Sequence, residues 1–185
     1  MKRRTFLRAT AMGALGSGFF APRPAGAADF TRTRRSGSDP RALIMDAMGE
    51  LRPIYEPPLV REMLASGMDS ITVTLCDPKP VGAEALELAV DGLTLYDRYL
   101  ADHPDLFAKA TTVADVDEAV RSGRLAVFYL YQNSEQFGGD LDRVDLFYRL
   151  GVRSSQITYN EANRAGWGCR AETPDEGLTD FGRDL

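Results

Sequence analysis

LAVFYLY at residues 125–131, closed by the amides Gln132 and Asn133, is a continuous apolar run entered through a turn at Ser122-Gly123. Such a run predicts a strand buried on both faces of a parallel sheet. Polar side chains at the carboxyl ends of apolar strands are how barrel enzymes build active sites, so Gln132 and Asn133 mark where to look for chemistry. Downstream, Leu141, Val144, Phe147 and Tyr148 form one helical face over Asp140 to Leu150, with Asp140 as N-cap and Gly151 as the stop. Gln156 to Tyr159 then reads as a shorter strand ending in Asn160 and Glu161. Strand, helix and strand make one crossover unit.

The same alternation extends toward the N-terminus. Ala42 to Ala47 reads as a strand, Pro58 to Ser66 as a helix closed by Gly67, and Ser70 to Cys76 as a strand. A longer helix follows from about Val81 to Leu100, with Leu86, Ala89, Val90, Leu93, Tyr96 and Leu100 at helical spacing behind Pro80. A short helix over Thr112 to Arg121 carries capping-box spacing at Thr112 and Asp115. Roughly four strands separated by helices define an α/β chain by pattern alone.

The first 41 residues read differently. Arg3-Arg4-Thr5-Phe6-Leu7, the mildly apolar Ala9 to Ala21 and the small-residue site Ala25-Gly26-Ala27 predict a twin-arginine signal peptide over 1–27. Export as a folded protein to the bacterial periplasm or exterior is therefore expected, and the apolar stretch is too short to span a membrane. Residues 28–41 read as a mobile leader, leaving 42–185 as the folded domain. The signal holds Lys2, Arg3, Arg4, Arg8 and Arg23 and no acid, so losing these five charges takes the formal net charge from −5 to −10. An acidic domain of this kind is a poor partner for nucleic acid or anionic membrane surfaces.

The stretches DLDRVDLFYRLGVRSSQITYN (140–160) and GLTDFGRDL (177–185) resemble the membrane dipeptidases, also called renal-type dipeptidases, a metallopeptidase family built on a (β/α)8 barrel. ALIMDAMGE (42–50) is a weaker match to that family's first strand, and the resemblance spans about Ala42 to Leu185. It implies the N-terminal half of a TIM-type barrel, about four βα units, and hydrolysis of dipeptides by a zinc-activated water. At the end of the first strand the family reads Ile-Asp-Gly-His-x-Asp, its His and last Asp binding metal. The matching positions here are Met48 and Glu50, after Asp46. A thioether is a poor zinc ligand beside imidazole, whereas Glu50, with Asp46, offers carboxylate oxygens. Gln132 takes the place of the family's metal-bridging Glu, and Tyr159 that of a substrate-contacting His.

The expectation is thus a dipeptidase-like metallohydrolase with most first-half metal ligands replaced, or an inactive relative binding peptides or other small ligands. Gln132, Asn133, Tyr159 and Asn160 are the candidate substrate contacts. For Gln132 and Asn133, amides that bind a peptide backbone and amides that cap strand ends are both open. A complete barrel needs on the order of 250 residues, and Thr179, Phe181 and Leu185 begin a helix that has run less than two turns at the last residue. A partial sequence is therefore expected, inactive by itself. An open half-barrel would expose a strand edge unless another chain, as in a homodimer, covers it.

Three smaller features complete the reading. Cys76 and Cys169 either pair in an oxidising compartment or stay apart, with Cys76 a small hydrophobe at a strand end. His103, the single histidine, precedes Pro104 near a helix end and reads as a solvated loop residue rather than a ligand. Gly166-Trp167-Gly168 neither follows a strand nor opens a helix, so it reads as a tight loop, not a phosphate cradle.

Overall fold

The computed structural model describes residues 42–171 and 176–185. The expected signal and leader, 1–27 and 28–41, fall outside the described residues.

The central strand is β4, Leu125–Tyr131, whose side chains are buried except for the half-buried Phe128. On one edge it pairs in parallel with β2, Ser70–Thr74, from Ser70 opposite Ala126 to Thr74 opposite Leu130. β1, Met45–Gly49, pairs in parallel with β2 and forms one margin of the sheet. Two short strands share the other edge of β4. β3, Phe107–Lys109, lies along Leu125 to Val127, and β5, Val152–Ser155, lies along Tyr129 to Tyr131.

Among the described residues five α-helices connect and flank these strands: α1 (Pro57–Ala65), α2 (Ala83–Asp102), α3 (Val113–Arg121), α4 (Asp142–Arg149) and α5 (Asp180–Asp184). From β2 the chain passes β4's position to reach β3, then comes back to form β4. Right-handed crossovers in opposite directions must lie on opposite faces of a sheet. Accordingly, Ile71, Val73, Leu125, Val127 and Tyr129 pack with Val60, Ala89, Leu93 and Tyr96 of α1 and α2. Ala126 and Phe128 pack instead with Val116, Ala119 and Val120 of α3.

Contact between α2 and the chain just past β2 is close enough to need glycine. A Cβ on Gly92 would lie 2.4 Å from the carbonyl oxygen of Leu75. The neighbouring tyrosines then fill the interface and place their hydroxyls on partners. Tyr131 Oη donates to Ala89 O at 2.7 Å, Tyr96 Oη to Leu51 O at 2.8 Å, and Tyr129 Oη to Asp97 at 2.9 Å. Burial is the first cause that raises the pKa of Tyr129 and Tyr131 and pushes Tyr96 up to about 12, so all three stay neutral donors.

Two strands differ from the sequence expectation. β3 was not anticipated, because three residues between Pro104 and Thr111 carry no measurable period. The strand expected over Gln156 to Tyr159 lies earlier, at Val152–Ser155. Its polar residues are accommodated individually: Arg153 donates to the carbonyls of Thr111, Tyr148 and Val152 and sits 4.0 Å over the Tyr148 ring. Gly151, at φ 103°, turns α4 directly into β5, so the apolar Ile157 to Tyr159 run on past the strand. Elsewhere the expected elements shift by a few residues. Asp140 is not the N-cap of α4; Leu141 is, and Asp140 accepts the N–H of Asp142 just outside the helix. The Thr112 and Asp115 capping box and the Thr179 cap are both formed. Cys76 and Cys169 are free, and His103 ends α2 with its ring edge-on to Tyr99 at 5.2 Å. No described helix is long and apolar enough to cross a membrane.

Substituting Gly92→Ala tests the close approach of α2. An alanine normally favours a helix by about 1 kcal/mol over glycine, but a Cβ against a carbonyl forces a shift costing about 1–3 kcal/mol. We expect a lower urea midpoint at unchanged m; a raised midpoint would show that the helix stands further off.

Candidate functional site

The carboxyl ends of β1, β2 and β4 open on a cleft of about 600 Å3 lined by Met48, Glu50, Arg52, Cys76, Asp77 and Gln132, among others. The bulge in β1 decides which residues face it. Asp46 is opposite Ile71, but after the shift Gly49 is opposite Val73, so Met48 and Glu50 take the face of Thr72 and Thr74. Asp46 stays on the face of Ile71 and turns back on its own strand, accepting the Met48 N–H at 3.1 Å. The structure thus gathers Met48, Glu50 and Gln132 in one cleft and leaves Asp46 outside its lining.

Within that cleft the Gln132 N–H and the Glu50 carboxylate already have partners. Gln132 Nε2 donates to Met48 Sδ at 3.3 Å. Glu50 is held by Arg52 at 2.8 Å, an exposed pair. Burial first, and the Asp77 charge second, push the Cys76 thiol up to about 11, so it is protonated and unreactive near neutral pH.

A smaller pocket of about 200 Å3 adjoins the cleft, sharing Pro78 with it, and contains the remaining candidates Asn133, Tyr159 and Asn160 beside Lys79, Glu161 and Arg170. Asn133 and Glu135 of its lining belong to a buried polar segment, Asn133 to Gln136, that begins two residues after the end of β4. Asn133 donates its amide to Pro78 O and accepts from Glu135 N at 3.2 Å. Ser134 donates to Ile157 O at 2.7 Å. Glu135 accepts the N–H of Gly82 at 3.1 Å and of Arg164 at 2.8 Å. Gln136 donates to Ser155 Oγ at 3.0 Å, and that hydroxyl donates to Asn133 O at 2.6 Å.

All four side chains are buried, Glu135 at 5% and Gln136 at 2% exposure. The amide of Asn133 is thus engaged by the chain's own backbone at both its N–H and its carbonyl. Asn160 accepts from the Cys169 thiol at 3.5 Å, and Tyr159 is 37% exposed at the rim. Sequence reasoning stopped at Asn133 and missed Ser134, Glu135, Gln136, Asp77 and Lys79. The available signal was a run of five polar residues, Gln132 to Gln136, directly after the apolar strand.

The zinc that the family resemblance implies can be tested against these donors. A zinc site needs three or four nitrogen, sulfur or oxygen ligands converging on one point. The described residues include no group of three or more His, Cys, Asp or Glu able to hold a metal ion. Glu50 is engaged by a guanidinium, Asp46 lies on the other face, and Gln132 offers only a neutral amide whose N–H is taken up by the Met48 thioether. These residues do not fit the metal. The purified chain, incubated with zinc and desalted, is expected to retain none in stoichiometric amount by elemental analysis. The double substitution Met48→His, Gln132→Glu should raise retention; one zinc per unaltered chain would contradict the geometry.

Comparison with known proteins agrees with the architecture. Residues 54–185 match the family model described as membrane dipeptidase, peptidase family M19. A curated relative, dipeptidase ataJ of Aspergillus terreus (strain NIH 2624 / FGSC A1156), is 27% identical over 81 residues, 44% of this chain and 20% of that protein. Among solved structures, an amidohydrolase from Pseudomonas aeruginosa superposes with a TM-score of 0.65 at 25% identity, over 77% of this chain and 41% of that one. A metallo peptidase from Rhodobacter sphaeroides, liganded with a phosphinate mimic of the dipeptide L-Ala-D-Ala, superposes at 0.62 and 18% identity, over 77% and 54%. The chain thus spans between a fifth and about half of the length of these relatives. A match over most of the chain, on a parallel α/β sheet of the same fold, places it in the membrane dipeptidase family.

Proposed function

We propose that this chain binds dipeptide-sized ligands at the carboxyl ends of its strands, as part of a dipeptidase-type barrel, and that the strand ends it contributes orient the ligand without holding a metal. The contact between Gln132 Nε2 and Met48 Sδ carries this reading. It fills, with a neutral pair, the place where a family member would carry charge-bearing ligands. The amide carbonyl of Gln132 remains an acceptor for a peptide N–H, and the cleft of about 600 Å3 falls in the usual size range of small-molecule sites.

Metal-dependent hydrolysis of dipeptides is the second reading, supported by family membership. It requires a donor set that the described residues do not form.

Calorimetry with Ala-Ala in the presence of a chelator separates the two. Binding undiminished by chelator, with no release of free alanine, is the expected result. Binding or turnover that appears only with added zinc favours the hydrolytic reading, and absence of binding under both conditions sinks the first.

A further inference from the structure

The cleft and the smaller pocket carry opposite charge on the two sides of one residue. Asp77 lines the cleft and Lys79 lines the pocket, while Pro78, between them, lines both. In the cleft Glu50 and Arg52 neutralise each other at 2.8 Å, which leaves Asp77 as the uncompensated charge. In the pocket the carboxylate of Glu135 is turned inward and taken up by the N–H groups of Gly82 and Arg164. Lys79 and Arg170 then face a single remaining carboxylate, Glu161, and no ion pair engages either cation among the described residues. One wall of Pro78 is therefore acidic and the other basic.

Two hydrogen bonds hold the ridge. Asn133 donates to Pro78 O, and Asp77 Oδ1 accepts the Lys79 N–H at 3.0 Å, leaving Oδ2 of Asp77 for another donor. The two charges lie on either side of Pro78, and their signs match a molecule with a cation at one end and an anion at the other.

Building on the proposed binding of dipeptides, we infer that the Asp77-Pro78-Lys79 ridge reads both ends of a zwitterionic dipeptide. Asp77 takes the ammonium in the cleft, and Lys79 with Arg170 takes the carboxylate in the pocket. The peptide bond then crosses Pro78 beside Gln132. Ligands lacking either charged end lose a charge-assisted contact.

The test measures affinities of the full 185-residue chain for Ala-Ala, N-acetyl-Ala-Ala and Ala-Ala amide. Ala-Ala should bind at least about tenfold more tightly than either blocked form. The variant Lys79→Ala, Arg170→Ala should lose the preference for the free carboxylate while keeping its affinity for the amide. Asp77→Asn, which retains the oxygen that accepts from Lys79, should lose the preference for the free amine. Equal affinity of the unaltered chain for all three peptides overturns the inference and leaves dipeptide binding standing. Preferences that survive the substitutions also overturn it, as does an equal loss for free and blocked peptides. Absence of binding to any of the three overturns both.

Discussion

Burial of four consecutive polar side chains, Asn133 to Gln136, is the constraint from which the mouth of this sheet is built. A buried amide or carboxylate without partners costs several kcal/mol, so the segment is tolerable only where other backbone comes to meet it. Here the partners come from both sides. Pro78 and Gly82 belong to the connection from β2 to α2, while Ser155, Ile157 and Arg164 belong to β5 and the loop beyond it. Glu135 alone ties Gly82 to Arg164. The strand supplies the other half of the constraint: β4 is fixed on both edges and both faces, so the segment leaves it at a defined point. Gln132 and Asn133, adjacent in the chain, are thereby sent into two different clefts.

Much of this was legible in the sequence, and the losses have physical causes. The apolar run of β4 and the Thr112 and Asp115 cap are local signals that appear in the structure, whereas of the apolar face expected for α4 only Phe147 is buried and Leu141 and Tyr148 are exposed. β5 is mislocated because its residues, Val152 to Ser155, are mostly polar and are accepted only through bonds made after folding, such as that of Arg153 to Thr111. β3 is three residues long and exists because β4 offers it an edge. The split of Asp46 from Glu50 depends on a one-residue bulge, which reverses the facing of a strand and leaves no trace in composition. Of the candidate residues, Met48, Glu50 and Gln132 meet in one cleft and Asn133, Tyr159 and Asn160 in the other.

Family membership and local chemistry thus pull apart in this chain. The parallel sheet and the match over residues 54–185 place it among the membrane dipeptidases. At the strand ends, a thioether and a neutral amide contact each other, and the adjacent carboxylate is held by arginine. Scaffold and site can diverge in this way because the polar segment that shapes the mouth follows β4 and does not include the positions facing the cleft.

The central claim is that the buried segment after β4 sets the geometry of both clefts, and Glu135→Ala addresses it directly. Losing a carboxylate bound by two N–H groups should cost about 2 kcal/mol or more of stability. Hydrogen exchange should accelerate at the Gly82 and Arg164 amides together, with the β4 amides still protected, and affinity for Ala-Ala should fall by about tenfold. Unchanged exchange at those two amides, or an unchanged affinity alongside faster exchange, would contradict the account.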